Sequence, residues 1–413
     1  KCSIKPLPNP ERVSVLLSQH IGALCKPLVA KRDKVMIGQE IGEADAFVSA
    51  PVHSPVNGTV KDITLQSHPV LGRVTGIVID TDKEDNAQKT PSANKYDKNF
   101  DETKYSPEQI SEAVSKAGVV GMGGAGFPTH VKIAPDAKPP KKAIIVNACE
   151  CEPFLTCDYR VMLEWTWQFI AGIKLVRQVT GCKDVYIGIE DNKPEAIKVL
   201  REALADAPGC EGIEICAVQT KYPQGGEKQL IKSVLGEDVP LGGIPPMIGV
   251  LVINVATCCA MAEAVTLDIP LTHRVCTVTG DGINNPGNYY VPVGTTAEEL
   301  INHCGGLNED AARVIMGGPM TGFAIGDLST PLTKTSGAIT VLTKKSITKA
   351  KYNKQETPCI RCGRCLHICP ANINPTYIAH AVKHGYIDIA EKYHINACIE
   401  CGISYAEISP RTF

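Results

Sequence analysis

The run Cys359-Ile-Arg-Cys362-Gly-Arg-Cys365-Leu-His-Ile-Cys369-Pro370 narrows what this chain can be more than any other stretch. Four thiols at C-x2-C-x2-C-x3-C-P spacing leave almost no apolar side chains to form a core. The segment has to fold around something that the thiols hold. This spacing lets three thiolates converge on one cube of iron and sulfide, while the fourth, ended by its proline, reaches toward a second cube. A zinc knuckle is the competing reading, but four cysteines this closely set and closed by Cys-Pro are not a zinc pattern. The expected metal ligands are Cys359, Cys362, Cys365, Cys369, Cys398 and Cys401, and the expected groups are two 4Fe-4S clusters.

The second half begins as a repeat, Cys398-Ile-Glu-Cys401-Gly402, and then departs, with Ser404 and Ile408 where cysteines would complete it. Six cysteines do not supply eight thiolates. With the usual crossover, one cluster has Cys359, Cys362 and Cys365, and the other has Cys369, Cys398 and Cys401; each is one ligand short. Three explanations stand open: Ser404 or another group ligates, a single cluster forms, or the sequence is altered near its end. A Cys after Ile403 and a Cys-Pro after Ala406 would restore the run.

The remaining cysteines do not read as a disulfide framework. Of 18 in all, several lie in apolar runs (Cys216, Cys258, Cys259, Cys276), where a thiol serves as a small hydrophobe. That usage fits a reducing, cytoplasmic compartment. A formal net charge of −2 offers no basic footprint, so nucleic acid is not an expected partner. No signal-peptide or lipidation pattern opens the sequence, which starts at Lys1 without Met. The stretch Gly249–Leu267 is the longest apolar candidate for a membrane span, but Asn254 and Glu263 interrupt it. It is expected to be a buried strand followed by a helix. No direct membrane span is expected.

At 413 residues, with 36 Gly and 29 Pro to make turns, the chain has room for several domains. Residues 1–90 alternate short apolar runs with Gly and Pro turns and resemble a barrel-sandwich, the fold of lipoyl and biotinyl carriers. Those carriers need a lysine at a hairpin tip, and here Ala46 stands in that place. An unmodified structural domain is expected. The polar stretch Asp82–Tyr105 reads as a surface linker. Residues 106–270 alternate strands (Ala143–Val146, Val185–Ile189, Gly249–Val255) with helices (Pro107–Ala117, Val161–Thr180, Pro194–Ala205), which predicts a largely parallel, Rossmann-like sheet. Residues 271–330 resemble a small β-grasp (SLBB) module, Thr330–Ser346 a connecting β segment, and residues 350–413 a ferredoxin-type domain. The fold class is thus multidomain α/β and α+β.

The loop Gly121-Met-Gly123-Gly124-Ala125-Gly126-Phe127-Pro128-Thr129-His130-Val131-Lys132 exposes bare backbone with a lysine close by. Glycines allow backbone N–H groups to approach a phosphate, although the order is not the Rossmann fingerprint. Together with Asn147-Ala-Cys149-Glu150-Cys-Glu152-Pro153, Glu190-Asp191, Gly225-Gly226-Glu227 and Asn254-Val-Ala-Thr257, the loop resembles the NADH-binding flavoprotein subunit of respiratory complex I. The wordings Gln19-His-Ile-Gly22, Ser49-Ala-Pro-Val-His53 and Ile189-Glu-Asp-Asn-Lys-Pro194 are still more similar to the RnfC family, a component of the Rnf electron transport complex. That resemblance covers nearly the whole chain.

The resemblance implies FMN held by Gly121, Gly123, Gly124, Gly126, Lys132, Asn147, Glu150, Tyr186, Glu190 and Asn254. It implies NAD(H) facing Phe127 and Glu152. Two positions depart from the complex I pattern: Met122 replaces an arginine and Cys149 an aspartate. The implied activity is that of a ferredoxin:NAD oxidoreductase subunit, exchanging hydride between NAD(H) and FMN and passing single electrons through the clusters, with no side chain acting as acid or base. Its implied partners are the other subunits of a membrane-bound, ion-pumping complex, at the cytoplasmic side of the bacterial membrane. Two other readings stay open: a cobalamin reductase-like flavoprotein of propanediol use, distinguished by reduction of cobalamin, and a non-catalytic electron-wiring scaffold, distinguished by the lack of a flavin absorbance band.

Overall fold

The computed structural model describes residues 2–82, 91–136, 138–349 and 359–404. Near the N-terminus, strands Arg12–Leu16, Gly72–Thr81, Gly58–His68 and Lys34–Val35 form one sheet, and Lys26–Pro27, Glu40–Glu43 and Val52–His53 form a second. Alternating β-branched residues set the register: Val13 lies opposite Ile79, and Val15 opposite Ile77. With Ile41, Val52 and Val60 these side chains fill the space between the sheets. This is the expected barrel-sandwich.

Four parallel strands make the central sheet, in the order Ile213–Val218, Val185–Glu190, Ala143–Asn147, Val250–Asn254. The sequences Ala-Ile-Ile-Val-Asn and Val-Leu-Val-Ile-Asn are apolar along their length because both faces are covered. Helices Thr166–Thr180 and Val255–Leu267 cover one face, bringing Phe169, Ile173, Cys258 and Met261 into the same core as Ile144 and Val146. Helix Glu227–Leu235 covers the other with Leu230 and Ile231 against Ile145, Val250 and Val252. Gly172 lets the two large helices touch, since a Cβ there would lie 2.0 Å from the Cys258 carbonyl oxygen. The predicted single helix Val161–Thr180 is in fact two, Cys157–Glu164 and Thr166–Thr180, broken at Trp165. Strand order reverses between Ala143–Asn147 and Val250–Asn254, and such a switch opens a crevice at the carboxyl ends of the strands.

The stretch expected to be a surface linker is partly interior; its residues 83–90 lie outside the described residues. Glu102 is buried between Lys174 at 2.9 Å and Arg177 at 2.7 Å. Polarity in the sequence therefore marks an ion-pair network here, which a composition argument reads as solvent. The third sheet runs Ile4–Pro6, Gly287–Pro292, His273–Thr279, Ala338–Thr343, Ala311–Met316, Phe323–Ile325. It takes in the start of the chain, which pairs in parallel with Gly287–Pro292, and it extends to Thr343. Both additions lie outside the 271–330 span read from the sequence. The connecting segment is a strand of this sheet because Ile339 and Val341 complete its core. The cysteine segment carries short helices Arg364–Ile368, Pro375–Lys383 and Ile387–Lys392 around Cys369, Ile373, Ile378 and Ala390. Among the described residues no helix is long and apolar enough to cross a membrane.

Candidate functional site

Asn147 and Asn254 end neighbouring strands and face each other in register, at the crevice where strand order reverses. Asn254 caps helix Val255–Leu267: its Oδ1 accepts from the N–H groups of Ala256 at 2.9 Å and Thr257 at 3.4 Å. Its Nδ2 donates to the Asp158 carboxylate at 2.7 Å. Asn147 Nδ2 donates to the Gly225 carbonyl at 2.7 Å, which brings the turn Gly225-Gly226 to the same edge.

The glycine loop closes above this edge. The Gly121 N–H donates to the Phe127 carbonyl at 2.9 Å and the Thr129 N–H to Val119 at 3.0 Å. A Cβ at Gly123 would lie 2.8 Å from Asn254 Nδ2, whereas one at Gly124 would meet nothing within 4 Å. Gly123 must be bare to pass Asn254, and Gly124 is bare toward solvent. Gly126, with φ +75°, is wedged against Thr335 and the Gln19 carbonyl, and half-buried Phe127 follows it. Lys132 ends the short helix Thr129–Lys132 and meets Glu227, the first residue of Glu227–Leu235, at 2.9 Å.

These residues suit a phosphorylated flavin. Two helix N-termini, at Ala256–Thr257 and Gly226–Glu227, point at the edge that the bare loop covers, and helix N-termini favour anions. The buried Thr129 Oγ1 and Gln224 Oε1 have no partner among the described residues. The bare backbone at Gly123 and Gly124 suits phosphate and ribityl oxygens, while Asn254 Nδ2, Asn147 Nδ2 and Lys132 Nζ are engaged by Asp158, the Gly225 carbonyl and Glu227.

The acidic strand end is arranged differently from what its sequence implies. Glu150 takes a left-handed φ of 48°, and its carboxylate accepts from the N–H groups of Asp158 at 2.7 Å and Tyr159 at 3.2 Å. It caps helix Cys157–Glu164. Burial, and then the neighbouring Asp158 carboxylate, raise its pKa. Glu190 is buried and paired with Lys193 at 3.1 Å, and the same ammonium donates to the Cys149 carbonyl at 2.5 Å. Glu152 accepts from the N–H groups of Met320 at 3.1 Å and Thr321 at 2.7 Å, in the β-grasp module. Tyr186 is not brought to this edge. It sits near the start of Val185–Glu190, opposite Ile145 and Glu214, far along the strand from Glu190.

Both departures from the complex I pattern are interior. Met122 is packed in the core while its N–H donates to Thr257 Oγ1 at 3.0 Å. Cys149 is fully buried, and burial pushes its thiol far up. Neither side chain reaches the cleft.

A cavity of about 460 Å³ opens beside the acidic end. Its lining includes Glu150, Glu152, Phe154, Glu190, Lys193 and Tyr222. Phe154, 56% exposed and with φ +73°, forms part of its lip. Asp158, Lys193 and Tyr222 are site residues that motif reading did not single out. Lys193 stands in the quoted Ile189–Pro194 stretch, and Tyr222 three residues before Gly225, so both lay next to recognised motifs.

In the cysteine segment the two halves fold alike at their first turns. Arg361 and Gly363 have φ of 55° and 73°, and Glu400 and Gly402 have 51° and 73°. A left-handed non-glycine residue costs roughly 1–2 kcal/mol, so the same strained turn twice points to a shared purpose, aiming both thiols of C-x2-C one way. The Arg361 N–H donates to Cys359 Sγ at 3.4 Å. Burial raises the Cys401 thiol, and nearby Cys369 and Cys398 push it the same way. Cys369 packs in the same small core as Ala397, the residue before Cys398, and so is grouped with the second half, as the crossover requires. No three His, Cys, Asp or Glu side chains among the described residues converge on a single ion, but a four-iron cube holds its thiolates much further apart than one ion does. Ser404 lies among the described residues, and Ile408 lies outside them.

Three family models match: a RnfC barrel sandwich hybrid domain over residues 1–84, a Nuo51 FMN-binding domain over 114–263 and an SLBB domain over 275–324. Fold and site thus define a multidomain chain built around a Nuo51-type FMN-binding domain. The C component of the proton-translocating ferredoxin:NAD(+) oxidoreductase complex of Clostridium ljungdahlii is 41% identical over 95% of this chain and 83% of its own length. Its Na(+)-translocating counterpart from Acetobacterium woodii is 38% identical over 93% and 84%. The C component of an ion-translocating oxidoreductase complex of Rhodobacter capsulatus is 36% identical over 95% and 74%. The chain belongs to the RnfC family. An NAD+-reducing [NiFe]-hydrogenase in its H2-reduced state matches with TM-score 0.55 and 19% identity over 79% of this chain and 64% of that one. In the air-oxidized state the values are 0.50 and 22% over 63% and 50%. These two share the fold.

Proposed function

We propose that this chain is the NAD(H)-interacting flavin and iron–sulfur subunit of an ion-pumping ferredoxin:NAD oxidoreductase, peripheral to the cytoplasmic face of a bacterial membrane. The observation that carries the reading is the docking of the cysteine segment on the cleft wall: Tyr222 lines the cavity while its hydroxyl donates to the Cys401 carbonyl at 2.6 Å. When bound, FMN takes two electrons from NADH and releases them singly, and 4Fe-4S clusters carry one each. The protein's part is to bind and orient. Gly121, Gly123 and Gly124 with Lys132 form the phosphate side of the flavin site, beside the cavity that Tyr222 lines, and Asn147 and Asn254 form its floor. Lys193 holds the acidic strand end in place by gripping Glu190 and the Cys149 carbonyl. The domain spans read from the sequence, 1–90, 106–270, 271–330 and 350–413, are the working units of this proposal, with Ile4–Pro6 and Ala338–Thr343 joined to the third.

Anaerobic purification with flavin and iron quantification tests it. One FMN per chain, iron in multiples of four and bleaching by NADH are expected. Protein without flavin absorbance that fails to oxidise NADH with an artificial acceptor would refute it.

A further inference from the structure

The six cluster cysteines are not equivalent toward the rest of the molecule. Among the described residues, two hydrogen bonds reach the segment from the central domain. Tyr222 Oη donates to the Cys401 carbonyl at 2.6 Å, and Gln229 Nε2 donates to the Pro370 carbonyl at 3.1 Å. Both land on the group formed by Cys369, Cys398 and Cys401, one on a ligand itself and one on the residue after a ligand. A third contact comes from the β-grasp module. Gly402 is pressed on Met320 so closely that a Cβ would lie 2.8 Å from its carbonyl oxygen. The Met320–Thr321 backbone is in turn held by Glu152, at the cleft. In the Cys369–Cys398–Cys401 group Cys369 is buried, Cys401 half-buried and Cys398 exposed; in the other Cys365 is half-buried, and Cys359 and Cys362 are exposed with Ile360 between them 73% exposed.

We propose that the Cys369–Cys398–Cys401 group is the inner end of the relay, facing the flavin cleft, and that the Cys359–Cys362–Cys365 group is the outer end, serving an external one-electron carrier protein. Tyr222, Gln229 and the Glu152-held loop are positioning residues that set the gap to the inner group. The assignment rests on the functional reading above. In the relay no covalent bond changes. NADH oxidised to NAD+ delivers two electrons and a proton, the electrons cross from inner to outer group one at a time, and two molecules of the outer carrier are reduced. The reverse direction uses the same order reversed. The inner group has Ser404 in place of its third local thiol, and the outer group is short of a ligand at Ile408.

Two measurements test the order. In the full-length chain without iron, timed alkylation read by mass spectrometry should modify Cys359 and Cys362 at least tenfold faster than Cys369 and Cys401. Tyr222→Phe with Gln229→Ala should abolish that protection and leave Cys359 and Cys362 unchanged. In the iron-loaded protein, freeze-quench EPR after NADH should show that Cys362→Ser retains a fast-reducing cluster. Cys401→Ser should slow cluster reduction at least tenfold while dithionite still reduces the outer cluster. Equal alkylation of all four cysteines, or fast reduction kept in Cys401→Ser and lost in Cys362→Ser, would overturn the order. A protein lacking flavin would defeat the functional reading instead, and the alkylation result would still decide which group is inner.

Discussion

Gly123 shows how one missing side chain shapes the site. Its Cα passes the Asn254 amide, which is held at one end by Asp158 and at the other by the N–H groups of Ala256 and Thr257. Because that amide is anchored on both sides, it cannot swing aside cheaply. Gly123→Ala should therefore push Asn254 off its cap, costing about 1 kcal/mol of stability, and should weaken flavin retention about tenfold or more. Thermal melting and the flavin-to-protein absorbance ratio would register both effects. A variant with full flavin content would show that the loop does not need this close approach. Glu150 and Glu152 make the complementary point. As sequence they are two acids at a strand end, free to face a nucleotide, but in the fold each spends its carboxylate on backbone N–H groups.

At the scale of elements, helix Thr166–Thr180 is held to the polar connection before it by charge as well as by apolar packing. Burial alone would raise the Glu102 carboxyl, but hydrogen bonds from Lys174 and Arg177 outweigh it and hold its pKa below the ordinary range. Removing one partner of a buried pair strands the other, and such losses run to roughly 3–5 kcal/mol. Glu102→Gln leaves Lys174 with no counter-charge in a site where it is almost fully buried. The unfolding free energy extrapolated from urea titration should fall by an amount in that range, with an unchanged slope. A shift below about 1 kcal/mol would mean that water or a rearranged carbonyl replaces the carboxylate.

Across the whole molecule, the barrel-sandwich is fixed to the central domain through a buried polar cluster. Lys334 donates to the carbonyls of Pro51 at 2.6 Å and Gly118 at 2.7 Å, joining residues of three modules. His20 and His53 lie near it. Burial, reinforced by the Lys334 charge, lowers their pKa values to about 4 and about 3. Both imidazoles are therefore neutral in the folded protein at pH 5, whereas unfolded they protonate below about 6.5. The unfolded chain binds more protons in that window, so stability rises with pH there. The contribution is fully present above about pH 6.5 and is lost as pH falls toward 4 and then 3. The slope is at most about 1.4 kcal/mol per pH unit for each ring. Melting temperatures from pH 7 to 4 should fall less steeply in His53→Asn than in the parent. Parallel curves would remove the imidazole from this account.

Much of this was legible in the residues because it depends on neighbours in the chain. The C-x2-C turns, the glycine loop, the apolar parallel strands and the alternation of Val13, Val15, Ile77 and Ile79 follow from backbone geometry and side-chain period over a few positions. What the folded chain alone decided involves residues far apart. Ile4 pairs with Asn288, Glu102 finds Lys174, Glu152 reaches Thr321, and Tyr186 ends up away from the cleft while Tyr222 lines it. The order of the two cysteine groups belongs to the same class. Spacing alone makes the run beginning at Cys359 the clearer motif, and only the contacts at Cys401 and Pro370 turn the Cys369–Cys398–Cys401 group toward the cleft. Local sequence determines which turns can form. Which turn meets which surface depends on packing between distant segments, and no local pattern encodes it.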